Sequence, residues 1–274
     1  MPKTLPADPP RQDRLSAIIS RFEMRVAPCE PSAANLLLFA HTETGQPTRL
    51  VFSPGNERHA DLQSSASGTH SAAPCEFETR SFTAAVAWGG STNPLLAALP
   101  HTIDLPIDKD PDMTSLAHLL TAESKKPRCG SETVLSKLAE VLMVKLLRYQ
   151  LEHGQTSTGL LGGLADKRLA RAIIALHEHP GYHWNNNELA QVAGLSVSRF
   201  VELFGQTVGQ TPMSYLRHWR MILARQDVER GDRIQLVADR YGYASSEALG
   251  RAFRKAHKIN PTGLRRSTTA SHLT

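Results

Sequence analysis

The chain has 274 residues, 41% of them hydrophobic, and carries a net charge of +5 from 31 Lys plus Arg against 26 Asp plus Glu. That length carries about two domains, each large enough for its own core, and no run reaches the roughly 18 uninterrupted apolar residues of a membrane span. The best run, 134–147, is broken by Lys137, Glu140 and Lys145, and residues 1–12 lack the apolar core of a secretory signal, so a cytoplasmic protein is expected.

Leu15, Ile18, Ile19 and Phe22 have helical spacing, which predicts that segment 13–28 opens as a short helix leading into strands. Short apolar or alternating runs at 36–39, 49–52, 76–82 and 84–88 are separated by Gly, Pro and Ser clusters, the pattern of a small β-sandwich or barrel. Segment 53–75 has weak periodicity. Two helices are expected next, 113–123 and 131–151. In the second, Val134, Leu135, Leu138, Val141, Leu142 and Tyr149 share a face, and Met143, Val144, Leu146 and Leu147 widen the apolar arc. Burial against the chain's own β-domain and contact with a second subunit both account for such an arc. Segment 153–164, with Gly154, Gly159, Gly162 and Gly163, reads as a flexible linker, and Asp166 is placed to cap the helix after it.

Cys29, Cys75 and Cys129 are odd in number, far apart and without zinc spacing, so free thiols are expected. A redox role needs an exposed thiol of lowered pKa. Cys29 and Cys75 have the acidic neighbours Glu30 and Glu76, whereas Cys129 lies near Lys125, Lys126 and Arg128. His59 and His70 are eleven residues apart and no His-x-His occurs, so no metal site, cofactor or catalytic set is expected.

From residue 166 onward there are 16 Lys plus Arg against 9 Asp plus Glu, and before it 15 against 17. The excess of +7 at one end marks a polyanion-facing half. Two copies of one helix-turn-helix pattern lie there, at 188–206 and 237–255. In the first, Leu189, Val192 and Ala193 form the scaffold face, Gly194 makes the turn, Ser196 caps the second helix, and Phe200, Leu203 and Phe204 are its buried stripe. In the second, Ile234, Val237, Ala238 and Tyr241 form the scaffold face, Gly242 makes the turn, Ser245 caps, and Leu249, Ala252 and Phe253 are buried. Between them Thr211-Pro212 starts and Gly231 ends a helix of about eighteen residues, roughly 27 Å long. Tyr215, Leu216, Trp219, Ile222 and Leu223 form its buried stripe; Arg217, Arg220 and Arg225 lie elsewhere on it, as phosphate contacts or as ordinary solvated charge.

Glu188-Leu189-Ala190, Gly194-Leu195-Ser196, Phe200 to Phe204, Gly209 to Met213, Arg220-Met221, Val237 to Tyr243, Arg251 to Arg254 and Asn260-Pro261 together resemble the AraC/XylS-type transcription regulators. Asn93 to His101, running on through Ile103-Asp104-Leu105, resembles the cupin-type sensor domain of one branch of that family. The resemblance implies a multidomain chain: a mainly β, cupin-like sensor and dimerisation domain over 1–152, the linker 153–164, and an all-α domain over 165–267 with two helix-turn-helix motifs joined by a long helix. It further implies double-stranded DNA and RNA polymerase as partners, a small-molecule effector, and a homodimer packed through the helices after the β-domain.

With each stripe turned inward, the exposed faces carry Ser198, Val201 and Glu202 on the first recognition helix and Ser246, Glu247, Arg251 and Arg254 on the second. These are the candidates for base edges. Arg251 can hold guanine O6 and N7 together, and an i,i+4 ion pair with Glu247 is its alternative. Glu202 either accepts from cytosine N4 or pairs with Arg199. The leading reading is a sequence-specific DNA-binding regulator, an activator. A thiol-based oxidant sensor using the three cysteines, and a cupin metalloenzyme with an appended DNA-binding domain, are the alternatives.

Overall fold

The computed structural model describes residues 15, 19, 22, 24–54, 75–88, 93–153 and 159–264. The chain divides into two compact units, Ile19–Thr156 and, together with Met1–Ile18, Ser157–Thr274. His59 and His70, the linker residues 154–158 and most of segments 13–23 and 53–75 lie outside the described residues.

The first unit is built on a five-stranded antiparallel sheet in the order β1-β4-β2-β3-β5. Its strands are β1 (Met24–Pro28), β2 (Leu36–His41), β3 (Pro47–Phe52), β4 (Glu78–Trp88) and β5 (Ile103–Pro106). Met24–Pro28, at the end of the segment expected to lead from a helix into strands, is a strand that pairs with Trp88–Ala84 at the sheet edge. One expectation changes here. The runs 76–82 and 84–88 form one strand, because Thr83 stays in the ladder and its hydroxyl donates to the Cys29 carbonyl at 2.5 Å. Period-two alternation puts Phe82, Ala84, Val86 and Trp88 on one face beside Leu36, Leu38, Leu50 and Phe52, all buried. Leu37, Phe39 and Val51 pack with Ala34 into a cluster of their own, with Cys29 against it.

The short helix α1 (Pro94–Ala98) is started by Asn93, whose side chain accepts from the Leu95 amide and donates to the Trp88 carbonyl. Helix α2 (Pro111–Lys125) starts on an Asp110 cap and packs on β3 and β4; α3 (Ser131–His153) packs on α2 and β1. Met143, Leu146 and Leu147, which widen the apolar arc, are buried in the chain's own core, the first of the two accounts of that arc. The large apolar side chains left exposed on these two helices are Leu119, Val134 and Val141.

The second unit is helical: α4 (Gly159–Ala165), α5 (Lys167–Glu178), α6 (Asn186–Ala193), α7 (Val197–Val208), α8 (Pro212–Glu229), α9 (Ile234–Arg240) and α10 (Ser246–His257). The segment read as a flexible linker therefore ends in a helix, with Leu160 to Leu164 buried. Gly163 serves packing rather than freedom. A Cβ on Gly163 would stand 2.6 Å from Ile173 on α5 and 2.9 Å from Val208 on α7. Asp166 caps α5 through the Arg168 and Leu169 amides, and the Arg168 side-chain hydrogen bond holds its carboxyl down to about 2.

Candidate nucleic-acid interface

Both motifs turn where the sequence places glycine. Gly194 and Gly242 have φ of 69° and 71°, the left-handed region that costs an L side chain about 1–2 kcal/mol. The first turn is braced further by Arg171, whose Nη2 donates to the Ala193 carbonyl at 2.7 Å. Helix α6 starts with a reciprocal cap: the Asn185 side chain accepts from the Glu188 amide, and Glu188 accepts from the Asn185 amide. Ser196 and Ser245 each accept from the amide three residues on, so α7 and α10 begin with a satisfied donor.

Inward, Phe200, Phe204 and Val208 are buried on α7, and Leu249 and Phe253 on α10. Leu203 and Ala252, expected in the same stripes, are half-buried, as are Val192 and Ile234 on the scaffold helices. Phe204 and Phe253 play the same part in their motifs, which puts Glu202 and Arg251, two residues earlier in each, at corresponding positions with opposite charge.

Between the motifs, α8 is an 18-residue helix capped by Thr211 with Pro212 in its first turn, about 27 Å long at 1.5 Å per residue. Gly231 follows its end with φ of 95°. Tyr215, Leu216, Trp219, Ile222 and Leu223 are buried as expected. His177 of α5 stacks on Trp219 with ring centroids 4.0 Å apart, and its Nε2 lies 2.6 Å from the Tyr215 hydroxyl oxygen. Burial pushes the imidazole down to about 3, so it is neutral at physiological pH. At the other end of α8, buried Asp227 accepts from Tyr241 and Arg240, which ties α9 to the connector.

Against known protein families, residues 189–267 match the helix-turn-helix domain and residues 28–152 match the cupin domain. An AraC-like transcription regulator of Streptomyces antibioticus is 34% identical over 177 residues, covering 63% of this chain and 58% of that protein. A regulator of the same description from Streptomyces lividans is 33% identical over 180 residues, covering 64% and 59%. The matched regions thus span under two thirds of these relatives' own length. The crystal structure of the DNA-binding domain of AdpA with a target DNA aligns at 27% identity and a TM-score of 0.36, covering 37% of this chain and 93% of that one.

The chain thus carries a cupin domain followed by a helix-turn-helix domain and is similar over 63–64% of its length to AraC-like transcription regulators. Its first unit is the cupin-like β-domain and its second the paired helix-turn-helix domain.

On the outer faces of this helix-turn-helix domain, Ser198, Glu202, Glu247, Arg251 and Arg254 are exposed, and Val201 and Ser246 are half-buried. Glu202 accepts from Arg199 at 3.1 Å and from Gln206 at 3.3 Å, so the pairing alternative is the one formed in the free chain. With both partners more than half exposed, that ion pair is worth about 1 kcal/mol at most. Among the described residues Arg251 closes no ion pair with Glu247. The Glu247 carboxyl is held below its ordinary value first by the Ser245 hydroxyl, and more weakly by the Arg251 charge. Arg254, Lys255 and His257 fill the last turn of α10, where cations favour the carbonyl end of the helix.

The three connector arginines separate. Arg217 is exposed, Arg225 pairs with Glu229 at 2.8 Å, and Arg220 spends its guanidinium on two backbone carbonyls. Sequence reading missed this use of Arg220, and also Asp227 and Arg171. None of the three left a local signal in the sequence: the hydrogen-bond partners described for each lie 13 or more residues away.

The three cysteines are free thiols: Cys75 and Cys129 are exposed, and Cys29 is half-buried. Burial first, and Glu30 second, push the Cys29 thiol up, the wrong direction for a reactive thiolate. Among the described residues no three His, Cys, Asp or Glu side chains gather as a metal site, and no helix is long and apolar enough to cross a membrane.

Proposed function

We propose that the protein is a cytoplasmic, non-enzymatic regulator of transcription that binds double-stranded DNA sequence-specifically through both helix-turn-helix motifs. The observation that carries this reading is the pair of motifs on one capped 18-residue helix, with exposed Arg251 and Arg254 on a recognition helix. Domain 165–267 binds DNA; 1–152 senses a small-molecule effector and dimerises. Base readout falls to Ser198, Val201, Glu202, Ser246, Glu247, Arg251 and Arg254, with Arg251 the principal reader of guanine. Homodimer contact runs through Leu119, Val134 and Val141, exposed on α2 and α3. A ligand in the β-domain acts by shifting which arrangement of the two DNA-binding domains is populated, and its effect is bounded by its differential affinity for the two states. Activation follows from contact with RNA polymerase at the adjacent promoter.

Selection of full-length protein on a random duplex library, followed by binding titrations across salt, tests the reading. Expected is a preferred site whose affinity falls steeply with salt and drops about 10- to 100-fold with Arg251→Ala, with preference lost at one base pair. A selection that enriches no sequence overturns it.

A further inference from the structure

Arg220 leaves the flank of α8 and reaches the loop over residues 179–184 that feeds the first motif. Its Nε donates to the Pro180 carbonyl at 2.6 Å and its Nη2 to the Tyr182 carbonyl at 2.8 Å. A planar guanidinium presents donors in a fixed fork, so bridging two carbonyls fixes the loop in position and in angle. The loop is stiff in itself. Trp184 Nε1 donates to the His179 carbonyl at 3.1 Å, the Tyr182 ring lies edge-on to Trp184, and the Tyr182 hydroxyl donates to Glu188, a member of the cap that starts α6.

The same loop touches the second motif. A Cβ on Gly181 would stand 2.2 Å from the Arg240 carbonyl oxygen, and one on Gly242 would stand 2.5 Å from the Gly181 carbonyl oxygen. Tyr243, just past that turn, is half-buried and lies within the field of the Arg220 charge. The entry of the first motif, the turn of the second and the helix between them therefore meet around one guanidinium.

We propose that Arg220 is a positioning residue: by clamping the 179–184 loop between α8 and the Arg240–Gly242 turn, it locks the two recognition helices at one relative pitch and so sets the half-site spacing the protein accepts. This rests on the two-motif reading given above. Inserting one base pair moves a half-site along the duplex by about 3.4 Å and turns it by about 34°. A loosened pair of motifs can follow that displacement; a clamped pair cannot.

The test uses the full chain on its selected site, with the spacer between half-sites changed by one or two base pairs and binding measured by fluorescence anisotropy at one salt concentration. Wild-type protein is expected to lose about tenfold or more in affinity for a one-base-pair change, and Arg220→Ala about threefold or less, with Arg220→Lys between them because an ammonium lacks the rigid planar fork that fixes both carbonyls. Equal discrimination by wild type and Arg220→Ala overturns the proposal. So does a uniform loss of affinity at every spacing, the mark of a merely structural role. Should the alanine variant lack the wild-type circular dichroism spectrum, the comparison is read on Arg220→Lys, where unchanged discrimination again overturns it. A wild-type selection that returns a single half-site removes the two-motif reading and this proposal together, whereas equal discrimination removes this proposal alone.

Discussion

Gly181 and Gly242 meet backbone to backbone: a Cβ on Gly242 would stand 2.5 Å from the Gly181 carbonyl oxygen, and one on Gly181 would stand 2.2 Å from the carbonyl oxygen of Arg240. No side chain fits between the loop that enters the first motif and the turn of the second. The two motifs are thereby joined by a contact as well as by the helix that connects them.

Gly242→Ala is expected to destabilise the protein by about 2–4 kcal/mol, from the left-handed φ together with overpacking against a backbone oxygen. Gly181→Ala carries the overpacking alone, about 1–3 kcal/mol. Gly231→Ala, at φ of 95° with nothing within 4 Å of its Cβ, carries only the backbone penalty, about 1–2 kcal/mol. Urea unfolding of the three variants checks the order, and Gly231→Ala as the most destabilising would refute the close approach.

Gly205 and Gly250 behave in the opposite sense. Each lies in a recognition helix with open space around its Cβ, so alanine is expected to raise stability by about 0.5–1 kcal/mol. Each also lies on the outer face of its recognition helix, where, on the proposed DNA-binding reading, a methyl group would meet the duplex. Gain of thermal stability with loss of affinity for the selected site, in the same variant, is the expected pair of outcomes.

Glu202 and Arg251 hold corresponding positions in the two motifs and are expected to respond in opposite directions. Removing the carboxylate with Glu202→Ala takes a negative charge from the face proposed to meet DNA and frees Arg199, so affinity is expected to rise by a few fold, about 1 kcal/mol or less, with the selected sequence unchanged. Loss of preference for cytosine at one position in a repeated selection would show instead that the carboxylate leaves Arg199 and reads a base.

His177 gives the fold a defined acid sensitivity. Its imidazole is pushed down to about 3 from an ordinary value of 6.5, so as pH falls from 6.5 toward 3 the unfolded chain takes up a proton that the folded chain refuses. Its contribution is a loss of about 1.4 kcal/mol of stability per pH unit across that window, levelling off below it. Asp166, held down to about 2, acts lower, its stabilisation being lost as pH falls from its ordinary 3.8 through 2. Unfolding measured between pH 7 and pH 4 should therefore flatten in His177→Phe, and an unchanged slope would refute the assignment.

Where a local rule decides, the sequence was enough to read the structure. Gly194, Ser196, Thr211-Pro212, Gly242 and Ser245 set caps and turns within a few residues of themselves, and all sit where the spacing places them. Where a distant partner decides, it was not. Gly163 looks like linker glycine until Ile173 and Val208 close over it, and Asp227 looks like a surface charge until Tyr241 and Arg240 reach it. The candidate site divides in the same way: its outward faces follow from the buried stripes, while the clamp at Arg220 joins carbonyls 38 and 40 residues away.

Hydroxyl-radical footprinting of full-length protein on its selected site tests the central claim most directly. Two recognition helices held at one pitch predict two protected patches on the same face of the duplex, about ten base pairs apart. Protection confined to a single half-turn would contradict the account.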